Sequence, residues 1–303
     1  MKRVLVTGAS GFIGRTSLAP LIALGYEVHG VASAPDAGRH PRVHWHHVDL
    51  LDGRAVASLC REVGAEHLLH FAWYAVPGRF WTALENFAWV RASLDLLDAF
   101  RAAGGSRAVL AGTCAEYDWT TGSACDERRT PLRPATTYGV CKSAMGTLAA
   151  AYARETGLSL AWGRIFFPFG PHESPQRLTG YATRALLRGE PAECTSGTQI
   201  RDFLFVDDLG DAFAALLASG VIGAVNMASG EPCSIATFLG RIAERIGRPD
   251  LLRLGARPTP AGEAALVTAA TDRLRSEVGW MPRHGLDEAI DRTIAYWRGE
   301  AMN

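Results

Sequence analysis

The chain has 303 residues, with 31 basic and 31 acidic side chains, so its formal charge is zero. This balance argues against a broad surface for nucleic acid or another polyanion, because such a surface needs a basic excess. Apolar residues make up 48% and charged residues 20%, a composition that can bury a full core and that excludes an extensively disordered chain.

No apolar run approaches the roughly 18 residues of a membrane span, and the N-terminus has no secretory pattern, so we expect neither a membrane nor a leader segment. The six cysteines lack CxxC spacing, which predicts reduced thiols, a cytoplasmic protein and no zinc site. Four histidines lie close together, and two of them, His44 and His46, share one strand face, but no third ligand can be assigned to this pair, so no metal site is expected there either. They are His40, His44, His46 and His47.

Strand-like and helix-like segments alternate through the first half of the sequence. Strands are predicted at Lys2–Thr7, Glu27–Ala32, Val43–Val48, His67–Phe71, Ala108–Gly112 and Leu158–Phe166. Helices are predicted at Gly11–Leu24, Trp81–Ala103 and Thr137–Glu155. Strict alternation indicates parallel strands with right-handed crossovers, and such strands are apolar throughout because both of their faces are buried.

After residue 167, glycine and proline interrupt shorter elements, which is typical of a smaller domain with more loop. We predict that residues 1–167 form one domain, to which residues 203–230 return. Residues 168–202 and 231–303 are predicted to form the second domain.

A glycine-rich segment follows the first predicted strand and opens the first predicted helix. In this context Gly8 permits a tight turn, Gly11 lets a pyrophosphate approach the backbone, and Gly14 lets the helix pack close to the strand. The helix N-terminus adds free N–H groups and the positive end of the helix dipole. We therefore predict a dinucleotide-binding turn. Its predicted contacts are Gly8, Ser10, Gly11, Phe12, Ile13 and Gly14.

The end of the second predicted strand bears on the choice of dinucleotide. A carboxylate there binds the ribose 2′-hydroxyl of NAD and would repel the 2′-phosphate of NADP. Ala32 and Ser33 stand at this end, so the sequence favours NADP, with Ser33 and Arg39 as phosphate contacts. Asp36, farther along, would serve the NAD alternative. Asp49, after the third strand, is expected either to contact the adenine or to cap the next helix.

Tyr138 and Lys142 lie four residues apart at the start of a predicted helix, so they share one face. A phenol has a pKa of about 10, and a neighbouring ammonium lowers it, so that the pair can exchange a proton with an alcohol or carbonyl. Thr113 ends the preceding strand, and the carboxyl end of a parallel strand faces the ligand crevice. We predict Thr113, Tyr138 and Lys142 as the catalytic group.

With these features the sequence resembles the extended short-chain dehydrogenase/reductase superfamily, in its group of NAD(P)-dependent sugar epimerases and dehydratases. The resemblance covers nearly the whole chain. It rests on TGASGFIG at 7–14, HFAW at 70–73, GTCAEYD at 112–118, ERRTPLRPATTYGVCK at 127–142, GRIFFPFGP at 163–171, RDFLFVDD at 201–208, VNMASGEP at 225–232 and EVGWMP at 277–282. It implies an α/β fold with a Rossmann doubly wound parallel sheet that binds NAD(P), and a smaller α/β C-terminal domain that binds a nucleotide-diphosphate sugar. It also implies a homodimer through the two long helices.

The resemblance assigns roles to residues as well. It implies that Tyr138 is the acid or base, that Lys142 binds the nicotinamide ribose, and that Thr113 positions the sugar oxygen. Arg201 is expected to contact the substrate diphosphate, with an ion pair to Asp202 or Asp207 as the alternative. Other cofactor contacts are expected at Leu50, Phe71, Ala72, Trp73 and Ile165, and other substrate contacts at Cys114 and Phe167. The aromatic residues Trp73, Tyr74, Phe80 and Trp81 are expected either to pack on the ligand or to cap the core.

Departures from the family pattern reduce the number of reactions that we expect this protein to catalyse. Members that carry out 4,6-dehydration have Thr-Asp-Glu where this chain has Thr113-Cys114-Ala115, so both carboxyl positions are empty. Glu116 comes one position later and is expected to point to the other side of an extended segment. Dual epimerase/reductases have a cysteine at the position of Ala115, so 3,5-epimerisation is not expected.

Two more departures concern the substrate. Trp89 and Phe167 stand where many members have asparagine, so the pose of the sugar nucleotide is expected to differ. We predict an NADPH-dependent reductase of a nucleotide-diphosphate 4-keto-6-deoxy sugar, with Tyr138 as the proton donor. The alternatives are a 4-epimerase with bound NAD and a non-catalytic NADP-binding regulatory protein, and the complete Thr113, Tyr138 and Lys142 set argues against the latter.

Overall fold

The computed structural model describes residues 2–33 and 40–302. Its strands are β1 (Arg3–Thr7), β2 (Glu27–Ala32), β3 (Val43–His47), β4 (His67–His70), β5 (Arg107–Thr113), β6 (Ser159–Ile165), β7 (Phe167–Phe169), β8 (Ala192–Glu193), β9 (Ile200–Arg201), β10 (Phe203–Phe205), β11 (Gly223–Met227), β12 (Cys233–Ser234), β13 (Leu252–Arg253) and β14 (Leu266–Val267). Its helices are α1 (Gly14–Ala23), α2 (Gly53–Val63), α3 (Glu85–Ala102), α4 (Thr137–Thr156), α5 (Leu178–Leu187), α6 (Val206–Ala218), α7 (Ile235–Ile246) and α8 (Leu286–Met302).

Seven strands form one sheet in the order β11-β6-β5-β4-β1-β2-β3. Every neighbouring pair in it is parallel. β1 pairs with β2 on one side and with β4 on the other. The chain therefore adds β2 and β3 on one side of β1 and then crosses to add β4, β5, β6 and β11 on the other side. The predicted fold class, a Rossmann-type doubly wound α/β fold, is confirmed. In such a sheet, ligands bind beyond the carboxyl ends of the strands near this change of side.

Alternate residues of β1 enter two different hydrophobic clusters, one on each face of the sheet. Val4 and Val6 pack with Leu18 of α1 and with residues of α6. Leu5 packs on the other face, in a cluster that contains Leu97 of α3 and residues of α2 and α4. Because side chains of a strand alternate between the faces, a strand buried on both is apolar at every position.

The shorter strands lie outside this sheet. β9 pairs with β12 and β14, β7 with β10, and β8 with β13. Around them α5, α7 and α8 pack in pairs. Their core is aromatic, and the rings of Phe203 and Phe238 stack with centroids 4.0 Å apart. β11 and its residues 223–227 belong to the large sheet, while the domain boundaries given above stay a prediction.

Helix α3 begins at Glu85, four residues later than predicted. The Asn86 amide donates to the carbonyls of Phe80 and Ala83, at 2.8 Å each, and these side-chain bonds hold the preceding residues in turns. Trp81 is thereby released from the helix, and its carbonyl accepts a hydrogen bond from the Tyr138 backbone. None of the helices in the described part of the chain has the length and apolarity that a bilayer span requires.

Candidate active site

The glycine-rich turn between β1 and α1 has no room for larger side chains at two of its positions. Gly8 has a φ of 64°, which side-chain-bearing residues rarely adopt. A Cβ at Gly14 would lie 2.1 Å from the carbonyl oxygen of Gly8, so only glycine allows this approach. A Cβ at Gly11 would meet only the same oxygen, at 3.1 Å. The tight turn predicted at Gly8 and the close packing predicted at Gly14 agree with this geometry, and the approach of a pyrophosphate to Gly11 stays a prediction.

The turn also presents backbone N–H groups. Within residues 2–33 and 40–302, no protein group accepts a hydrogen bond from the N–H of Ser10, Phe12 or Ile13. α1 begins without a side-chain cap and has no acidic residue in its first turn. Free amides at a helix N-terminus bind anions, so the residues present fit the pyrophosphate of a dinucleotide.

The segments that follow β2 and β3 were predicted to hold the adenosine end. Ser33 is exposed directly after β2. Arg39 and Asp36 lie outside the described residues. The capping alternative for Asp49 is wrong, because α2 is capped by Asp52, whose Oδ1 accepts from the backbone of residues 54 and 55. Asp49 instead accepts from the N–H of Leu51, at 2.9 Å, and its contact with adenine stays a prediction.

The other predicted cofactor residues gather at the carboxyl ends of the strands. Phe71 donates its N–H to the carbonyl of Thr7, and a Cβ on Gly8 would lie 2.9 Å from the N atom of Ala72. Ile165 ends β6 opposite Thr113 of β5. Leu50 is buried beside this edge, and so is Cys114, which was predicted as a substrate contact; the two belong to different hydrophobic clusters.

Tyr138 lies in the first turn of α4, which Thr136 caps by accepting the N–H of Gly139 at 3.1 Å. The rings of Phe80 and Trp81 meet the Tyr138 ring edge-on, with centroids 4.9 and 5.7 Å away. Burial raises the pKa of Tyr138, and hydrogen bonding with Thr113 lowers it. The phenol is therefore protonated at neutral pH, the state from which it can donate a proton.

Lys142 is almost wholly enclosed, with 4% of its surface exposed. Its Nζ donates to the carbonyl of Ala111 at 2.9 Å and lies 3.8 Å from the centroid of the Trp73 indole. Burial lowers the pKa of Lys142 to about 7, and the charge of Glu116 opposes this shift. Lys142 was expected to lower the pKa of Tyr138. The groups that lower this pKa are instead Thr113, through a hydrogen bond, and Arg177, through its charge.

The expected orientation of Glu116 is wrong. Residues 114–116 form a 3₁₀ turn, because the Thr113 hydroxyl accepts the N–H of Ala115 and so ends the extended segment. Glu116, 1% exposed, turns back to accept the Thr113 N–H at 2.8 Å. It also accepts from Trp162 Nε1 at 2.9 Å and from Arg164 Nε at 2.7 Å. The buried carboxylate thus fixes the backbone that carries Thr113.

Comparison with known proteins identifies the family. The sequence model of the NAD dependent epimerase/dehydratase family matches residues 4–228 of this chain. The chain belongs to this family. It is therefore an enzyme, an NAD(P)-dependent oxidoreductase of the extended short-chain dehydrogenase/reductase type.

Several proteins resemble this family member along their whole length. A UDP-glucose 4-epimerase of Rhizobium leguminosarum bv. trifolii is 30% identical, over 98% of each chain. A UDP-glucose 4-epimerase of Corynebacterium glutamicum is 27% identical, over 93% of this chain and 91% of that protein. The solved structure of the Thermus thermophilus UDP-glucose 4-epimerase in complex with NAD has a TM-score of 0.85 and 26% identity, covering 98% and 99% of the two chains.

In this epimerase/dehydratase family member, Arg201 is 5% exposed and its ion pair is with Glu263, at 3.3 Å. Arg201 was predicted, as an alternative, to form an ion pair with Asp202 or Asp207. That prediction is wrong, because the partner is Glu263. Glu263 follows 62 residues later in the chain, beyond the reach of a local pattern. The Arg201 guanidinium also lies 5.4 Å from the centroid of the Phe167 ring. Contact of both residues with the substrate stays a prediction.

Arg177, just before α5, was not predicted as a site residue. Its guanidinium lies 5.8 Å from the centroid of the Phe12 ring and forms an ion pair with Glu173 at 3.1 Å. Its charge also lowers the pKa of Tyr138. A cation thus lies near both the glycine-rich turn and the predicted catalytic tyrosine. The only sequence signal was one basic residue in a loop after Pro175.

No group of three or more histidine, cysteine, aspartate or glutamate side chains suited to a metal ion occurs in residues 2–33 and 40–302.

Proposed function

We propose that this protein is an NAD-dependent 4-epimerase of a nucleotide-diphosphate sugar. The observation that carries the proposal is the cluster of Thr113, Tyr138 and Lys142 at the strand ends beside a turn with three free amides. The curated relatives that match at 30% and 27% identity are both named UDP-glucose 4-epimerase, which supports this reaction over a one-way reduction.

In this proposal the glycine-rich turn and the first N–H groups of α1 hold the cofactor pyrophosphate, and Lys142 holds the nicotinamide ribose. Bound NAD supplies reversible acceptance of a hydride from the sugar carbon. Tyr138 would take the proton of the 4-hydroxyl as a phenolate, which the charges of Arg177 and of a bound nicotinamide would favour over the protonated phenol of the unliganded site, and would return this proton to the keto oxygen. The configuration would invert because the hydride returns to the opposite face of the sugar carbon. The Thr113 hydroxyl bonds the same oxygen and keeps it beside Tyr138.

The substrate diphosphate would meet Arg177 first. This guanidinium is 42% exposed, whereas that of Arg201 is buried and is bonded to Glu263 and to two backbone carbonyls. A partly exposed guanidinium near Tyr138 can bind phosphate oxygens through its two Nη atoms in a bidentate manner, while its Nε keeps the ion pair with Glu173. The same charge favours the phenolate of Tyr138, so binding and proton transfer would both depend on Arg177.

A second candidate is the NADPH-dependent reduction of a nucleotide-linked 4-keto-6-deoxy sugar. The end of β2 favours it, because Ala32 and Ser33 provide no carboxylate against a 2′-phosphate. Analysis of the nucleotide released from the purified, denatured enzyme separates the two. We expect bound NAD and interconversion of UDP-glucose and UDP-galactose without added cofactor. An enzyme free of NAD that prefers NADPH at least tenfold and turns over only the keto sugar would overturn the epimerase proposal.

Tyr138→Phe tests the proton transfer. We expect it to lower turnover about 10²–10⁴-fold, because general acid–base catalysis contributes roughly this factor, and to leave cofactor affinity nearly unchanged. Tyr152→Phe is the matched control, since Tyr152 lies on the same helix and its hydroxyl bonds only Asp98 at the surface. Turnover of Tyr138→Phe within twofold of the Tyr152→Phe value would contradict the assigned role.

We also propose that the active form is a homodimer built on α3 and α4. Three large apolar side chains on these helices are about half exposed, namely Phe87 at 48%, Val140 at 47% and Leu148 at 45%. Burying them against a second copy would stabilise the association, and light scattering measures the mass directly.

The six free cysteines, five of them buried, favour a reducing compartment, and we place the protein in the cytoplasm.

A further inference from the structure

A cavity of about 600 Å³ opens between the first turn of α1, the segment after β7, α5 and α8. None of the residues assigned above to catalysis, to the cofactor or to the substrate lines it. Its volume lies in the range of sites that hold a small organic molecule. Its wall divides into an aromatic part, with Tyr296 and Trp297, and a basic part, with Arg15, Arg184 and Arg188.

Two buried polar atoms of this wall have no hydrogen-bond partner among the described residues. Trp297 is 6% exposed and Glu173 is 3% exposed. Within the described residues, neither the Trp297 Nε1–H nor the Glu173 Oε2 atom is hydrogen-bonded. A buried polar atom without a partner costs about 1–3 kcal/mol, so a ligand that reaches these two nearly inaccessible atoms would relieve that cost.

The basic part of the wall has an excess of charge that is not neutralised internally. Arg15 bonds only the carbonyl of Ser10, at 2.7 Å, and neither Arg15 nor Arg184 has a carboxylate within ion-pair distance in the described chain. The Arg184 guanidinium lies 5.5 Å from the centroid of the Trp297 ring. Arg188, in contrast, is paired with Glu190 at 2.9 Å.

The acidic side chains at the cavity do not cancel this charge. Glu173 is paired with Arg177 through its other oxygen, and burial raises the pKa of Glu173 to about 7. Close to neutral pH its Oε2 therefore carries a proton in part of the molecules and can donate a hydrogen bond. Glu300 lies on the exposed last turn of α8. Among the described residues, the wall thus offers several donors and two guanidinium groups without a carboxylate partner.

His172, which also lines this cavity, has an unusual backbone conformation. In the described chain it is the one residue other than glycine with a positive φ, 64°, and its ring lies 4.6 Å from the Tyr296 ring. Such strained positions cluster at ligand sites because the surrounding structure must hold them.

We propose that this cavity binds a phosphate monoester borne on a flat apolar body. A phosphate monoester carries about −1.5 to −2 charges, which Arg15 and Arg184 balance, and its oxygens accept from guanidinium groups and from the Trp297 Nε1–H. The apolar body packs against the rings of Tyr296 and Trp297. Arg15 follows directly after Gly14 of the dinucleotide turn, so the ligand would bridge α1 to α5 and α8.

Isothermal titration of the full chain with phenyl phosphate tests the proposal, with NAD and UDP present in excess to occupy the candidate active site. We expect saturable binding of one equivalent, and much weaker binding of phenol and benzoate, which lack the dianionic head group. Arg184→Gln is expected to weaken binding at least about tenfold, because it removes charge-assisted hydrogen bonds. Trp297→Phe is expected to weaken binding less and to keep the aromatic wall.

Arg241→Gln is the matched control, since Arg241 is a partly exposed arginine of α7 that pairs with Asp287 away from the cavity. It is expected to leave the affinity for phenyl phosphate unchanged. No saturable binding in the millimolar range, or equal binding by the Arg184→Gln and Arg241→Gln variants, would overturn the proposal. Because Arg184 is only partly buried, that variant keeps the fold, which the thermal midpoint verifies.

Discussion

Replacing Glu116 by glutamine tests the buried network beside the residues that we propose to be catalytic. Glutamine has nearly the shape of glutamate, so Glu116→Gln removes a charge and leaves the packing almost unchanged. The amide oxygen can still accept from the Thr113 N–H and from Trp162 Nε1. Arg164 loses the carboxylate that its Nε contacts at 2.7 Å. Both members of the pair are nearly inaccessible, with Glu116 1% and Arg164 6% exposed.

Removal of one partner of a buried ion pair costs about 3–5 kcal/mol, because the other charge is left uncompensated in a poorly polarisable medium. Arg164 keeps the hydrogen bond from its Nη1 to the Tyr117 hydroxyl, at 3.0 Å. We therefore expect a loss at the lower end, about 3 kcal/mol in the free energy of unfolding. An exposed helical pair is worth only about 0.3–0.5 kcal/mol. Glu288 and Arg292 of α8, both about half exposed, form such a pair.

Urea denaturation followed by circular dichroism measures both variants under the same conditions. Glu116→Gln is expected to lose about 3 kcal/mol and Glu288→Gln less than about 0.5 kcal/mol. The Glu116 carboxylate also raises the pKa of Lys142, so its neutralisation lowers that pKa further and moves any activity limb due to Lys142 to lower pH. Equal, small losses in the two variants would refute the assignment of a stabilising buried pair.

Three further substitutions follow from the site geometry. Burial lowers the pKa of Lys142 from 10.5 to about 7. Between these pH values the unfolded chain binds more protons than the folded chain, so the destabilisation caused by burying charged Lys142 decreases as the pH rises above 7. Lys142→Met, more stable than the wild type at pH 7, is expected to lose about 2 kcal/mol of this advantage by pH 9 in urea titrations, and a constant difference would contradict the buried lysine. Gly14→Ala places a Cβ 2.1 Å from the Gly8 oxygen and is expected to lower the thermal midpoint by many degrees, whereas Gly11→Ala, with a contact at 3.1 Å, should keep the midpoint and weaken binding of the dinucleotide. Similar midpoints for the two variants would argue against the described turn.

The buried parallel strands were predictable because their signal is local. β2 begins and ends at the predicted residues, 27 and 32, since an apolar run bounded by turn residues needs no information from elsewhere in the chain. The start of α3 was less predictable. It depends on whether the amide of Asn86 bonds the preceding carbonyls, which is a competition between side chain and backbone of similar energy.

Some residues of the candidate site could likewise be predicted from local sequence, and others could not. Thr113, Tyr138 and Lys142 are marked by strand ends and by helical spacing, both of which are properties of short segments. The orientation of Glu116 was missed because a cap from Thr113 ends the extended backbone one residue earlier. Arg177 and Glu263 lie in segments outside the seven-stranded sheet, and their positions depend on contacts between residues far apart in the chain. No spacing rule within the sequence describes such contacts.

The order of the strands in space has a consequence for synthesis. β6 ends at residue 165 and β11 begins at residue 223, yet the two are adjacent in the sheet. While a ribosome is still translating the intervening residues, β6 is the last strand of an incomplete sheet, with one side of its backbone unpaired. Pairing over such a sequence separation is slow, because a long loop must close before any contact is gained. The nascent chain therefore has an open, apolar edge until the region of β11 has been made, and this interval is when it is most exposed to aggregation and most dependent on chaperones.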